Sequence, residues 1–208
     1  MRKFSLIIFG LIIIPLITLS FEVTYSGGKG FSDLSKYEIL DILSIKDSDK
    51  RFVALKKLYS NSEDKGNFII LPDLCKTAIK VNRYDEAEKF ADHLILLAHN
   101  NTESFHYGNA IHDANIVLGM IALRDNDIEK AKMYLLKAGN TKKSPQLKSF
   151  GPNLMLAKAL LEKHEGVTVK EYFILMKNIW KMDNGQLDSW IATIGKGAIP
   201  YLDRHLSK

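Results

Sequence analysis

The side chains of this 208-residue chain best suited to hold a metal or move a proton are six histidines (His93, His99, His106, His112, His164 and His205) and one cysteine, Cys75. His93 and His99 are six apart, as are His106 and His112, a separation that turns two helical side chains about 120° from one another. Metal-binding pairs on a helix stand four apart, and no H-E-x-x-H, G-x-S-x-G or Cys-His motif occurs. A single cysteine rules out an internal disulfide framework and any multi-Cys zinc or iron–sulfur site, and its setting among apolar residues points to packing rather than reactivity. The chain is expected to use no metal and no cofactor. Asn100-Asn101-Thr102 satisfies a glycosylation sequon, and Gly27-Gly28-Lys29-Gly30 lacks the spacing of a phosphate loop.

With little local support for catalysis, the informative level is the set of elements that would position these groups. Apolar residues make up 46% and charged residues 25%, which is enough apolar matter for a packed core. The net charge of +5 is dispersed, so no nucleic-acid partner is expected. Arg2 and Lys3 precede 18 uncharged residues from Phe4 to Phe21, a layout that reads as a cleaved signal peptide or a retained membrane anchor spanning residues 1–26. Both readings send the rest out of the cytoplasm, to the periplasm or beyond, held at the inner membrane by residues 4–21 if uncleaved. A short linker, residues 27–33, follows.

From residue 34 to 208 the apolar residues recur at three and four, which predicts helices with one buried face. One face joins Tyr84, Ala87, Ala91, Leu94 and Ala98, and a second joins Ala110, Ala114, Val117, Leu118 and Ile121. A third joins Ile128, Ala131, Leu135 and Ala138, and a fourth Val169, Phe173, Met176 and Trp180. Asn82, and Asn126 with Asp127, are expected to cap the helices that follow them; Gly139 and Gly195 are expected to end helices, and Pro152 to sit in a first turn. Tyr172, Phe173, Trp180 and Trp190 belong to the core and a C-terminal capping helix. The fold expected is all-α.

Leu118-Gly119, Ala122 and Asn126-Asp127-Ile128-Glu129-Lys130-Ala131, with Leu135 and Ala138 behind, resemble the tetratricopeptide repeat, a pair of antiparallel helices. Leu74-Cys75, Ala78 and Asn82 to Ala87 make an earlier copy, Leu156-Ala157, Leu160 and Val169 to Met176 a later one, and Tyr37 to Tyr59 a degenerate pair. The resemblance implies an α-solenoid in which small residues at Gly119, Ala131, Ala87 and Ala157 let neighbouring helices touch. Repeats 44 and 38 residues apart exceed the usual 34, so insertions are expected at residues 100–109 and 140–151.

In that family the first helix of each pair lines a groove that accepts a peptide or helix. The resemblance places Lys76, Ile79, Lys80, Met120, Leu123, Arg124, Lys158, Leu161 and Glu162 along it. Its four basic residues imply a partner protein or peptide with acidic character. The expected function is therefore non-catalytic protein binding in the cell envelope. The alternative is an envelope enzyme or enzyme accessory with a site at residues 100–113 that uses Glu103, His106 and His112.

Overall fold

The computed structural model describes residues 36–206, so the signal or anchor reading of residues 1–26 and the linker at 27–33 lie outside the described residues. Ten helices and one short 3₁₀ turn are present among the described residues, and no strand. In chain order they are α1 (Lys36–Ser44), α2 (Ser48–Ser60), α3 (Asp64–Lys80), α4 (Tyr84–Asn100), α5 (Tyr107–Arg124), α6 (Ile128–Gly139), α7 (Pro145–Phe150), α8 (Met155–Glu162), α9 (Gly166–Lys177) and α10 (Gln186–Gly195). The turn is Asp203–His205. The all-α expectation holds. No helix among the described residues is long and apolar enough to cross a membrane.

Three corners share one geometry. After α3, Arg83 N–H donates to Ala78 C=O at 2.8 Å and Asn82 N–H to Ile79 C=O at 3.1 Å. Asp127 to Ala122 and Asn126 to Leu123 repeat this after α5, and Glu165 to Leu160 and His164 to Leu161 repeat it after α8. Each is a Schellman closure around a left-handed residue: Asn82, Asn126 and His164 have φ of 58°, 59° and 65°. This corrects the role expected of Asn82 and Asn126. They close the preceding helix instead of capping the next, because asparagine tolerates the left-handed conformation as readily as it caps. Asp127 does cap α6, accepting from Lys130 N–H at 3.0 Å.

Two further punctuation marks act differently from expectation. Gly139 ends α6 without adopting positive φ; its lack of a side chain is a matter of space, since a Cβ there would lie 2.9 Å from the Tyr172 ring. The left-handed residue after α10 is Gly197, at φ 79°, rather than Gly195. Pro152 precedes α8 instead of entering it, and Asn153 Oδ1 accepts from Met155 N–H where that helix begins. Of the segments where insertions were expected, residues 100–109 span the end of α4 and the start of α5, helices of 17 and 18 residues, and residues 140–151 hold α7.

Packing runs between near neighbours in the chain. α3 lies against α2, α4 and α5; α5 against α4, α6, α7 and α8; α9 against α6, α8 and α10. Gly119, Ala87, Ala131 and Ala157 are all buried. At Gly119 the approach is so close that a Cβ would stand 2.2 Å from Leu156 Cδ2, so any larger residue there makes the Leu156 side chain give way. Aromatic residues close the C-terminal end: Tyr172, Phe173, Trp190 and Trp180 follow one another with ring centroids 5.4 to 6.0 Å apart. The last turn returns to α8, where Leu154 N–H donates to His205 C=O at 2.9 Å and the His205 ring packs edge-on to Trp180 and Trp190.

Candidate functional site

Three of the sequence-expected groove residues are buried. Ile79 and Leu161 belong to the core, and Lys76, whose side chain is 7% exposed, lies among the residues of α3 and α5. Met120 and Leu123 are half-buried, while Lys80, Arg124 and Glu162 are exposed. The expected basic lining is largely neutralised within the protein. Arg124 pairs with Asp125 at 2.8 Å and Asp85 at 3.6 Å and lies over the Tyr84 ring, and Lys158 pairs with Asp203 at 3.0 Å. Lys80 keeps its exposure, and its pKa is lowered by partial burial and by Arg51 and Lys76.

Lys76 instead anchors a buried polar network that ties α3, α5 and α9 together. Its Nζ donates to Asp113 Oδ2 at 2.9 Å and lies 3.5 Å from Asp73 Oδ1. Asn109 Nδ2 donates to the same Asp113 oxygen at 3.4 Å. The other oxygen, Oδ1, faces His112 Nδ1 at 2.9 Å, and His112 Nε2 faces the Tyr172 hydroxyl at 3.0 Å. A carboxylate only accepts, so Nδ1 donates to Asp113, and Nε2 is hydrogen-bonded to the Tyr172 hydroxyl. Burial works to raise the Asp113 pKa, but Lys76 and His112 outweigh it and hold the carboxyl below its ordinary value. For Lys76 burial opposes the charge, and Asp113 with Asp73 reverses that effect and raises its pKa. The Tyr172 hydroxyl is pushed well up, by burial first and then by Asp113.

Two adjacent cavities open beside this network. One, of about 240 Å³, is lined by Ile39, Leu43, Phe68, Pro72, Asp73, Lys76 and His106 among others. The second, of about 200 Å³, is lined by Asp113, Leu147, Phe150, Gly151 and Asn153. Asn109 and Gln146 line both. The first turn of α5 and the short helix α7 thus frame a polar floor with apolar walls. Ser144 caps α7 by accepting from Leu147 N–H at 3.1 Å, and Pro145 occupies its first turn, which is how so short a helix is fixed.

The three residues of the alternative site do not converge. Glu103 is exposed beside Lys142, His106 packs edge-on to Phe68 with its pKa lowered by burial, and His112 is buried in the network. Cys75 is fully buried and burial pushes its thiol pKa well up. Among the described residues no three His, Cys, Asp or Glu side chains gather as a metal site. Sequence reasoning missed Asp73, Asn109, Asp113, Gln146 and Tyr172 as site or network residues. The signal available was the pairing of His112 with the adjacent Asp113, two polar residues within a helix otherwise rich in apolar side chains. No family model matches the chain, and neither a curated protein nor a solved structure matches it.

Proposed function

We propose that this chain is a tetratricopeptide-like stack of helix pairs that works by recognition, docking a segment of a partner protein over the cavities between α1, α3, α5 and α7. One observation carries the reading: the close approach of α5 to α8 at Gly119 and the recurring corner after α3, α5 and α8 align those helices, while the middle of α3 and the start of α5 border two open cavities. A face built on long, mutually packed helices is rigid, which limits the entropy lost on docking. The non-catalytic reading is supported by the direction of the hydrogen-bond chain. From Asp113, the residue that borders a cavity, it runs through His112 to Tyr172, and both of these are buried. A relay for catalysis needs its reactive end at the cleft.

Export to the envelope rests on the pattern of residues 1–26. The acidic character expected of the partner loses three of its four supports, since Lys76, Arg124 and Lys158 already have carboxylate partners. The test is photo-crosslinking in the native host with benzoylphenylalanine placed at Gln146 or Phe150 beside the cavities, and at Glu171 or Ile174 on α9. Docking at the proposed face gives a discrete adduct from the first pair and none from the second. Equal capture from both pairs, or none from the first, removes the reading.

A further inference from the structure

We propose that the outer face of α6 and α9 rests on an anionic lipid bilayer. The inference goes beyond the docking reading, because neither helix lines the cavities between α1, α3, α5 and α7.

Each of the two helices buries one side and carries a stripe of the same spacing on the other. α9 buries Val169, Tyr172, Phe173 and Met176. Opposite them, at i, i+3, i+7 and i+10, stand Val167, Lys170, Ile174 and Lys177, all exposed except the half-buried Lys170. α6 repeats the spacing with Lys130, Met133, Lys137 and, just past its end, Asn140, all exposed. Val167, Ile174 and Met133 are 76%, 56% and 41% exposed, so both stripes interleave aliphatic side chains with lysines. The stripes are held side by side. A Cβ on Gly139 would lie 2.9 Å from the Tyr172 ring and 3.1 Å from Leu175, so the end of α6 is pressed against α9. Near the start of α6, Lys132 Nζ lies 3.2 Å from the carboxylate of Glu165, which immediately precedes α9. Between the helices runs an open groove of about 630 Å³, lined by Met133, Leu136, Leu175, Lys137 and Asn140 among others.

Charge selects the occupant. Lys132 is engaged by Glu129 and Glu165, and Lys177 by Asp188 at 2.6 Å, but Lys130, Lys137 and Lys170 make no ion pair among the described residues. Glu171, on the groove wall, also has no ion pair and offsets one of these three lysines. From Lys130 to Leu161 the chain holds seven lysines and no acidic residue, so α6 supplies no further carboxylate beyond Glu129. α4 is the reverse, with Asp85, Glu86, Glu88 and Asp92 against Lys89, so the basic character is local and does not suit a long polyanion. A nucleic acid also has no apolar phase to receive Val167 and Ile174. An anionic bilayer has both: phosphates for the ammonium groups, and an interfacial layer into which aliphatic tips enter. Lysine suits that boundary because its stem lies along apolar surface while its head reaches the phosphates. Such a resting face agrees with a chain whose residues 1–26 read as a signal or anchor.

The test adds the full chain to vesicles of phosphatidylcholine, either alone or with about one third phosphatidylglycerol. An environment-sensitive nitrobenzoxadiazole label is carried on Ile174→Cys, or on Gln146→Cys beside the cavities; Cys75 is fully buried and stays unlabelled. Residues 4–21 are apolar enough to enter either vesicle, so the readout is shielding of each label from aqueous iodide rather than sedimentation. On the anionic vesicles the label at 174 is expected to brighten and become shielded, with half-saturation at about tenfold less lipid than on the neutral ones, and the label at 146 to stay accessible. Salt at about 0.5 M should reverse the shielding. Lys130→Gln/Lys137→Gln/Lys170→Gln weakens it about tenfold and Val167→Ser severalfold, with unfolding midpoints confirming that both variants fold. Equal shielding at 174 on neutral vesicles, none on the anionic ones, or equal shielding at 146 overturns the proposal. A discrete protein adduct from benzoylphenylalanine at Ile174 assigns the face to a protein and overturns it as well, whereas failure of capture at Gln146 bears on the docking reading alone.

Discussion

Replacing Lys76 by methionine should cost the fold heavily, because it strands a carboxylate that has almost no water around it. The Asp113 side chain is 4% exposed and the Lys76 nitrogen stands 2.9 Å away. At an effective dielectric constant of 20, two unit charges at that distance attract by about 6 kcal/mol. Part of that is returned when the ammonium no longer has to be buried, so the expected loss is about 3–5 kcal/mol, the range for breaking a buried pair from one side. The loss should depend on pH in a defined direction. Without Lys76, burial raises the Asp113 pKa above its unfolded value of about 3.9, so the variant is least impaired in acid and loses stability as pH rises. Urea unfolding followed by circular dichroism at about pH 5 and about pH 7.5 measures both effects. Lys76→Met/Asp113→Leu removes both charges together and should recover at least about 2 kcal/mol relative to the sum of the single changes. What remains lost belongs to His112 Nδ1 and Asn109, which lose their acceptor. A Lys76→Met loss below about 1 kcal/mol, or strict additivity in the double variant, would refute the account of a mutually dependent pair.

In the unmodified protein the sign is reversed. The depressed Asp113 pKa adds stability that is present above its unfolded value of about 3.9 and lost as pH falls through the lower folded value, so acid titration of stability should steepen below about pH 4 and lose that component in Asp113→Asn. Tyr172→Phe leaves His112 Nε2 buried without that hydrogen-bond partner and should cost about 1–3 kcal/mol in urea unfolding; a neutral result would show that the hydroxyl contact contributes nothing. Gly119→Ala forces Leu156 to move from a methyl position 2.2 Å away and should cost about 1–3 kcal/mol, reduced when combined with Leu156→Val; an unchanged midpoint would mean that α5 and α8 separate freely.

The helices from Tyr84 and Ile128, and the small residues Gly119, Ala87, Ala131 and Ala157, were legible because helical spacing of apolar and small side chains reports burial along a single element. The start of α3 at Asp64 was less so, since Pro72 in mid-helix reads locally as a break. The polar network was hidden for a different reason. Lys76 and Asp113 are 37 residues apart and His112 and Tyr172 are 60 apart, so a lysine that looks solvated along its own helix becomes buried only when another helix arrives with a carboxylate. Asn82 and Asn126 were correctly placed at corners but given the wrong task, because a side chain that can cap and a backbone that can turn left-handed occur in the same residue. Of the cavities, the floor on α5 was not singled out, because Asn109 and Asp113 read along their own helix as ordinary polar residues, and the wall supplied by α7 depended on a six-residue helix too short to show a period.

The recurring Schellman corners all lie at the C-terminal ends of α3, α5 and α8, while Asn109 and Asn153, at the opposite ends of α5 and α8, border the cavities. The three corners are thus stereotyped, whereas the segments before α5 and α8 differ in length and structure. Additions or deletions in residues 101–106 or 140–154 reshape the rim of the cavities while the three reversals keep their hydrogen bonds, so that rim is changed without rebuilding the scaffold.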